Sequence, residues 1–464
     1  MNTYFNTHSH TMYSNIRLLD CINRPKDLIK KAIELGMCGI AITDHECLSA
    51  HMEVNQLAKE LQKTNPDFTI ALGNEIYLVE DREKGQKYYH FILIAKDEIG
   101  HKALRELSSI AWYNSYSDRG MERVPTLKSE LREIVNKYPG HLIATTACIG
   151  GELGSEILMM EECGRVNDTA NMAIHHDKIV EFITFCKDLF EDDFYIECAP
   201  SSMKDQIAVN KRIEKIALAF GVNVVVGTDA HYLTEKDRMV LKAYINSKDG
   251  EREVDDFYQF SRLMDPEECR ELLKLSYSNE FIDKIYSNSI ELMNKINFYS
   301  LERNQIIPKV EVQNYGPVFA GWLNSYPILQ GLMNSDEIQE RYWVNECFYK
   351  LEELNLIHNE EYIKRLEIEA DVIKYIGEKL DDCLFAYFNT FKHYIDLFWE
   401  CGSIVGPGRG SATGFLSNYL LGITQLDPIR WNLPYWRFLN RERAELPSLL
   451  LILGSCKKRT LTIA

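Results

Sequence analysis

Residues 222–231 read VNVVVGTDAH, a run of β-branched side chains that ends in an aspartate and a histidine. A nearly continuous apolar run of this kind is typical of a strand buried on both faces. Five similar runs precede it: GIAIT (39–43), FTIAL (68–72), YYHFILIA (88–95), HLIATT (141–146) and FYIEC (194–198). The stretch therefore predicts one strand of a large buried sheet, with polar side chains at the strand's end.

Helical patterns separate these runs. In residues 25–36 the side chains of Leu28, Ala32 and Leu35 share one stripe, and Gly36 offers a C-terminal cap. Residues 203–221 repeat the pattern and end at Gly221. Strands that alternate with helices over this length predict an α/β fold with a parallel sheet, and one domain of this size favours a barrel.

The second half of the chain has a different character. From about residue 262 the pattern changes to long helices at 267–276, 280–296, 336–356 and 360–380. We therefore expect an α/β domain at residues 1–265 and a mostly helical segment at 266–447.

The composition is that of an ordinary globular protein of 464 residues, with 45% apolar and 26% charged residues. Lys and Arg number 52 against 69 Asp and Glu, a net charge of −17. Such a surface repels a phosphate backbone, so nucleic-acid binding requires a local basic or metal-loaded site. The twelve cysteines form no CxxC pair, which favours reduced thiols. Apolar runs such as 449–453 fall far short of the roughly 20 residues that span a bilayer, so we expect a cytoplasmic protein with no membrane partner.

Residues that commonly bind metals stand at or near the ends of the predicted strands. His8 and His10 are two apart in an extended segment, so both imidazoles point to one side and reach one ion. Because the carboxyl ends of barrel strands converge on one face, residues near other strand ends would join them. These residues are Asp44, His45, Glu75, His90, Cys148, Asp229 and His231. His90 could instead be a core histidine, Cys148 a small buried apolar residue and Asp44 a helix cap, but their joint placement favours a metal centre.

Over residues 4–235 this pattern resembles the polymerase and histidinol phosphatase (PHP) domain. The resemblance implies a distorted (β/α)7 barrel in which nine residues hold about three divalent ions, commonly zinc or manganese. The matching positions are His8, His10, Asp20, His45, Glu75, His90, Cys148, Asp229 and His231. It further implies that Asp44 orients an imidazole, and that a cysteine at position 148 is the variant of replicative polymerases.

The charge of such a centre suits phosphate chemistry. Three divalent ions against Asp20, Glu75, Asp229 and a Cys148 thiolate would leave about two positive charges. The site would draw a phosphodiester into an otherwise acidic protein, and the ions would activate water and stabilise the attacking and leaving oxygens.

A second motif is the glycine-rich stretch GSIVGPGRGSATGFLSNYLLGI (402–423). Its glycines leave backbone N–H groups open, and Arg409 and Ser411 add donors beside them. We expect a helix to begin at about Ser411 and to point its positive N-terminus at the same loop. The stretch indicates a phosphate-binding loop, with a tight helix-entry turn as the alternative.

Residues 383–447 closely resemble the palm of the bacterial DNA polymerase III alpha subunits, the family C replicative polymerases. The matching strings are FAYFNTFKHYIDLF, GPGRGSATG, YLLGITQLDPIRWNL and RFLNRERAELP. The resemblance implies that Gly408, Arg409, Gly410 and Ser411 contact an incoming deoxynucleotide triphosphate. It also implies a DNA primer-template and replisome subunits as partners, and magnesium for polymerisation.

The match ends at Pro447. In the family an acidic strand follows this proline, and two of its aspartates hold the catalytic magnesium ions. Here residues 448–454 read SLLLILG, and no Asp or Glu occurs in 448–464. We expect that a truncation or frameshift has replaced this strand and that the chain does not polymerise DNA, because two-metal phosphoryl transfer needs carboxylate ligands.

These observations favour the N-terminal portion of a DNA polymerase III alpha subunit that is inactive as a nucleotidyltransferase. It would retain metal-dependent 3′–5′ exonuclease or phosphoesterase activity in its PHP domain. One alternative is a stand-alone PHP phosphatase of a small phosphate ester, against which the match at 402–447 argues. Another is a non-enzymatic interaction protein, against which the complete set of ligand-type residues argues.

Overall fold

The computed structural model describes residues 3–16, 19–83, 85–118, 121–249, 258–304, 306–317 and 321–443. The chain divides into two compact units, Met1–Glu302 and Arg303–Ala464. The domain limits expected at residues 265 and 447 stay predictions, and the tail 448–464 lies outside the described residues.

The first unit is built on a barrel-like sheet. Its strands are β1 (Phe5–Asn6), β2 (Gly39–Ile42), β3 (Thr69–Val79), β4 (Tyr89–Ala95), β5 (Tyr116–Asp118), β6 (Met121–Arg123), β7 (Pro125–Leu127), β8 (Leu142–Thr145), β9 (Phe194–Cys198) and β10 (Asn223–Val226). Seven of them lie in the order β1-β2-β3-β4-β8-β9-β10, β7 pairs with β3, and β5 and β6 form a separate hairpin. The Thr7 N–H donates to the carbonyl of Val226 at 3.3 Å and brings β10 back beside β1, so the sheet nearly closes.

One strand runs against the expected direction. β4 is antiparallel to β3 and to β8, while the other neighbouring pairs in the barrel are parallel. Strand β4 is therefore an exception to the predicted parallel sheet. The connection 80–88 is too short for the crossover of about a dozen residues that a parallel pair requires. The reversal places the first residues of β4 at the rim where the parallel strands end.

Helices cover the outside of the barrel. They are α1 (Pro25–Glu34), α2 (His51–Thr64), α3 (Glu98–Tyr113), α4 (Lys128–Lys137), α5 (Glu152–Arg165), α6 (Thr169–Phe190), α7 (Lys204–Phe220), α8 (Arg238–Asp249), α9 (Pro266–Leu273) and α10 (Asn279–Asn294). The helix predicted at 203–221 is α7, and Gly221 ends it in the left-handed conformation with φ of 64°. Leu28 and Ile183 pack from these helices onto the outer faces of the strands, while Phe5 and Tyr195 belong to a separate buried cluster of strand residues.

Helix α10 belongs to the barrel, although it lies beyond residue 265. Its Asn288 donates to the Val224 carbonyl at 2.9 Å, and its Ser289 accepts from the Phe5 N–H at 3.2 Å. Leu292 joins the same buried cluster as Phe5. Helix α10 thus covers the seam between β1 and β10.

The second unit is helical in its described part. Its helices are α11 (Pro327–Met333), α12 (Ile338–Glu353), α13 (Glu360–Leu380), α14 (Phe385–Glu400) and α15 (Leu416–Leu420). Trp343, Phe388 and Phe415 are fully buried in its core, together with Leu366 of α13. No helix among the described residues is long and apolar enough to cross a lipid bilayer.

Candidate metal centre

Nine ligand-type side chains meet at one end of the barrel. His8 and His10 follow β1, His45 follows β2, Cys148 follows β8, and Asp229 and His231 follow β10. Glu75 lies inside β3 because this strand continues well beyond the predicted run 68–72. His90 is the second residue of β4, so the reversal of that strand is what carries it to this rim.

The first part of the centre contains His8, His10, Glu75 and Asp229, which each offer a ligand atom within 4.8 Å of the others. Nε2 of His8 lies 2.7 Å from a Glu75 carboxylate oxygen and 3.1 Å from Oδ1 of Asp229. Nε2 of His10 lies 3.1 Å from the same Asp229 oxygen. Two imidazoles and two carboxylates therefore converge on one point.

The second part shares His10 and adds His45 and His231. Nε2 of His45 lies 3.3 Å from Nε2 of His231 and 3.1 Å from Oδ2 of Asp20. Asp20 also lies 3.8 Å from Nε2 of His231. The predicted ligand Asp20 is thus close to two of the predicted histidines.

His90 and Cys148 complete the group. Nδ1 of His90 lies 3.1 Å from Oε1 of Glu75, and the Cys148 sulfur lies 3.5 Å from the same nitrogen. All nine predicted positions thus form one connected cluster, and their role as metal ligands stays a prediction.

The cluster fits divalent cations. Nε2 of His8 and Nε2 of His10 face each other at 3.0 Å, while their Nδ1 atoms lie near Glu197 and Ser14. When each Nδ1–H donates a hydrogen bond to these partners, the neutral imidazole keeps a lone pair on Nε2. Oδ1 of Asp20 is buried and has no hydrogen-bond partner within the described residues. Facing lone pairs and an unpartnered carboxylate oxygen are the donor set that a cation satisfies.

Burial and neighbouring charge set the protonation of the group. Burial lowers the pKa of His231 to about 4 and also lowers that of His90, so both imidazoles are neutral, as ligands must be. Burial opposes the charge of His45 as well, but Asp20 and Glu75 outweigh it and raise its pKa to about 10. Burial followed by the charge of Asp229 raises the pKa of Cys148 well above its usual range, so this thiol needs a cation to ionise.

Asp44 reaches the centre through a serine. Its carboxylate accepts from the Thr11 N–H at 2.6 Å and from the Ser14 hydroxyl at 2.7 Å. The Ser14 hydroxyl in turn lies 3.2 Å from Nδ1 of His10. The interaction by which Asp44 was expected to orient an imidazole therefore passes through an intervening hydroxyl.

The sequence reasoning missed Glu197. It lies in β9, is 3% exposed, and places a carboxylate oxygen 2.8 Å from Nδ1 of His8. Its other oxygen accepts from Thr7 at 3.0 Å and from Thr145 at 3.1 Å. A Cβ on Gly227 would overlap this carboxylate, so only glycine fits there. A single acidic residue inside the apolar run FYIEC was the available signal.

The glycine-rich loop is exposed at Pro407, Arg409 and Gly410, and it differs from the prediction in one respect. Gly408 and Gly410 have φ of 117° and 67°, which favours glycine at both positions. Arg409 is exposed beside them. The expected helix start at Ser411 is wrong, since residues Gly410–Gly414 form a 3-10 turn and α15 begins at Leu416.

The N-terminus of α15 is already occupied. The Glu369 carboxylate of α13 accepts from the backbone N–H of Leu416 at 2.7 Å and of Ser417 at 2.9 Å. Glu369 is fully buried, and Arg365 donates to it at 2.8 Å. A protein carboxylate therefore holds the position that the prediction gave to a phosphate, and a phosphate in this loop would rely on residues 408–411.

Two families match the sequence. Residues 6–201 match the PHP domain, and residues 334–450 match the bacterial DNA polymerase III alpha NTPase domain.

Curated relatives match nearly the whole chain. The "Probable DNA polymerase YorL" of Bacillus subtilis is 38% identical over 95% of this chain and 36% of its own length. DNA polymerase III subunit alpha of Campylobacter jejuni is 29% identical over 97% of this chain, and that of Aquifex aeolicus 28% over 96%, each over 36% of its own length. The chain thus spans about a third of the length of these relatives.

An amidohydrolase structure from Chromobacterium violaceum aligns with 49% of this chain at 14% identity and a TM-score of 0.28. The chain therefore carries a PHP domain followed by a bacterial DNA polymerase III alpha NTPase domain, and it is a relative of the DNA polymerase III alpha subunits.

Proposed function

We propose that this chain is the N-terminal portion of a DNA polymerase III alpha subunit and that its PHP domain is a metal-dependent 3′–5′ exonuclease. One observation carries the proposal: the nine predicted ligands form one connected cluster in a chain whose relatives are DNA polymerases. A metal centre rich in histidine and carboxylate side chains is suited to phosphodiester hydrolysis.

The nine clustered residues would hold about three divalent cations, of zinc or manganese. Such cations lower the pKa of water and neutralise charge on a phosphate when they are bound. Glu197 adds a buried carboxylate to the three of Asp20, Glu75 and Asp229. With a Cys148 thiolate, five anionic groups face six cationic charges and leave about one positive charge rather than two. This remainder still favours a phosphodiester over a neutral substrate.

The protein's own residues orient the ligands and leave two of them partly exposed. Glu197 and Ser14 hold the Nδ1 protons of His8 and His10, so that each Nε2 faces the centre. The side chains of His8 and Glu75 are fully buried, whereas those of His90 and Asp229 are 24% and 13% exposed. A phosphate therefore approaches the cluster from the side of His90 and Asp229.

The test is the release of mononucleotides from a labelled single strand or mismatched primer end. Wild-type protein loaded with zinc or manganese should release them, and a chelator should abolish the release. Substitution of a residue that only supports a metal ligand typically costs roughly 10–100-fold. His231→Ala removes a predicted ligand itself and should therefore lower the rate by at least this factor. His176→Ala, on the exposed surface of α6, is the matched control and should keep the wild-type rate.

Hydrolysis of a small phosphate ester by metal-loaded protein that releases no mononucleotide would refute the exonuclease. That result would favour the stand-alone phosphatase.

We also infer that residues 1–464 do not extend a primer, because 448–464 contain no carboxylate for magnesium. Residues 408–411 would still bind a deoxynucleotide triphosphate, and a DNA primer-template and replisome subunits would be further partners. Primer extension with magnesium and four nucleotides tests the inference. Extension that survives Arg409→Ala and rigorous purification would contradict it.

A further inference from the structure

A cavity of about 190 Å³ adjoins the metal centre, and no step proposed above uses it. Cys148 and Asp229 of the centre form part of its wall. The remaining wall includes Met203, Thr228 and Phe260. Because the cavity and the cluster share two side chains, a ligand in the cavity lies directly beside a phosphate at the centre.

One residue of the cavity wall, Thr228, carries an unsatisfied hydrogen-bonding group. Thr228 is 2% exposed, and its hydroxyl has no hydrogen-bond partner within the described residues. Its backbone N–H donates to Asn6 Oδ1 at 2.9 Å, so the residue is fixed in position. A buried hydroxyl without a partner costs free energy that a ligand's ring nitrogen or carbonyl would recover.

One part of the wall suits a flat apolar ring, while Ser201, Asp205 and Gln206 place polar groups beside it. Phe260, Met203 and Ile149 contribute aromatic, thioether and aliphatic surface. A whole small-molecule ligand usually occupies roughly 300–1,000 Å³, so this cavity holds one part of a larger molecule. A planar ring with polar edge atoms, attached to a phosphodiester, is a nucleobase.

We propose that this cavity binds the 3′-terminal nucleobase of the DNA strand whose last phosphodiester lies at the metal centre. The base packs against Phe260, and its edge accepts from or donates to the Thr228 hydroxyl. The proposal rests on the proposed exonuclease function. It adds that the site recognises the base at the end of the strand.

The test compares two oligonucleotides with the full chain loaded with manganese. One ends in 2-aminopurine, whose fluorescence is quenched by stacking, and the other ends in an abasic residue. A phosphorothioate at the last linkage slows hydrolysis during the titration. Base stacking on an aromatic side chain predicts about tenfold tighter binding of the strand that carries the base, with quenching of its fluorescence.

Two variants locate the effect. Phe260→Leu should remove most of the preference for the base, and Thr228→Val, which keeps the shape and deletes the hydroxyl, should weaken it about threefold to tenfold. Phe298→Leu, at a residue 45% exposed in the same unit, is the matched control and should bind like wild type. Equal binding of the two oligonucleotides, absence of quenching, or a preference unchanged in both cavity variants would overturn the proposal.

The two proposals fail separately. A preference for the base without release of mononucleotides would leave the cavity assignment intact and refute the exonuclease. Equal binding of base and abasic ends, together with release of mononucleotides, would support the exonuclease and refute the cavity assignment.

Discussion

Glu197 shows how a single buried carboxylate controls a histidine. It accepts from His8 and from two threonines, and therefore fixes both the tautomer and the angle of one predicted ligand. Glu197→Gln keeps the size and removes the charge, so we expect metal affinity to fall about 10–100-fold while the fold persists. Competition with a chelating dye measures this affinity. Glu181→Gln, on the exposed face of α6, should retain wild-type affinity, and equal affinities for the two variants would contradict the role of Glu197.

His51 makes the stability of the barrel depend on pH. Its Nε2 donates to the Gly73 carbonyl at 3.0 Å, and its Nδ1 lies 3.0 Å from Nε2 of His101. Burial, helped by His101, lowers the pKa of His51 to about 3. Because an unfolded histidine titrates near 6.5, unfolding takes up a proton between these values, and stability falls as the pH drops below about 6.5.

The expected loss from His51 is about 2 kcal/mol of unfolding free energy between pH 7 and pH 5. His51→Gln keeps a donor for Gly73 and cannot titrate. Between pH 7 and pH 5 the unfolding free energy of this variant should therefore fall by about 2 kcal/mol less than that of the wild type. Denaturant unfolding at the two pH values measures the difference. His176→Gln, at an exposed position, should behave like wild type, and a His51 variant as pH-sensitive as this control would disprove the assignment.

At the scale of elements, a buried carboxylate links two helices of the described second unit. Glu369 of α13 binds the first N–H groups of α15 and is neutralised by Arg365. Removing one member of a buried charge pair typically costs about 3–5 kcal/mol. Glu369→Gln should therefore destabilise the second unit by an amount of this order, measured by denaturant unfolding. Glu378→Gln, exposed on the same helix, is the control, and matching unfolding curves for the two variants would be evidence against this contact.

The elements also show what the sequence could predict. Six β-branched runs became strands, and the helix at 203–221 ended at its glycine, because burial and caps are local properties. The direction of β4 could not be predicted, because a run of apolar residues looks the same in a parallel and in an antiparallel strand. Strand β1 is only two residues long, which is too short to show an apolar pattern. The glutamate in FYIEC is a single residue, and the sequence around it does not indicate its role. The start of α15 was misplaced because its partner, Glu369, comes from a distant helix.

The predicted site shows the same contrast. Ligand-type residues near strand ends were visible in the sequence because strand ends converge in a barrel. The residues that hold them, Ser14 and Glu197, could not be distinguished from ordinary polar residues without the fold. The role proposed for Thr228 could not be predicted either, because the neighbouring sequence does not show that its hydroxyl is buried without a partner.

At the scale of the whole molecule, the division after Glu302 predicts an independent fragment. Residues 1–302 should unfold cooperatively and bind as much metal as the full chain, because the barrel, its helices and the nine clustered residues all lie within them. Residues 1–265 should not fold stably, because α10 covers β1 and β10 and buries Leu292. Circular dichroism on heating and metal analysis compare the fragments, and a 1–265 fragment as stable as 1–302 would contradict this reading.

The length of β3 bears on which DNA molecules fit. Beyond Glu75 the strand continues for four residues, about 13 Å, and pairs there with β7. These strands raise the barrel rim on one side, while the cavity beside Cys148 and Thr228 opens among the ends of β8 to β10, across the barrel in strand order. In the proposed exonuclease, a DNA strand that entered over the cavity would meet this wall. We therefore expect the site to accept a free strand end and to leave a closed circle of DNA uncut.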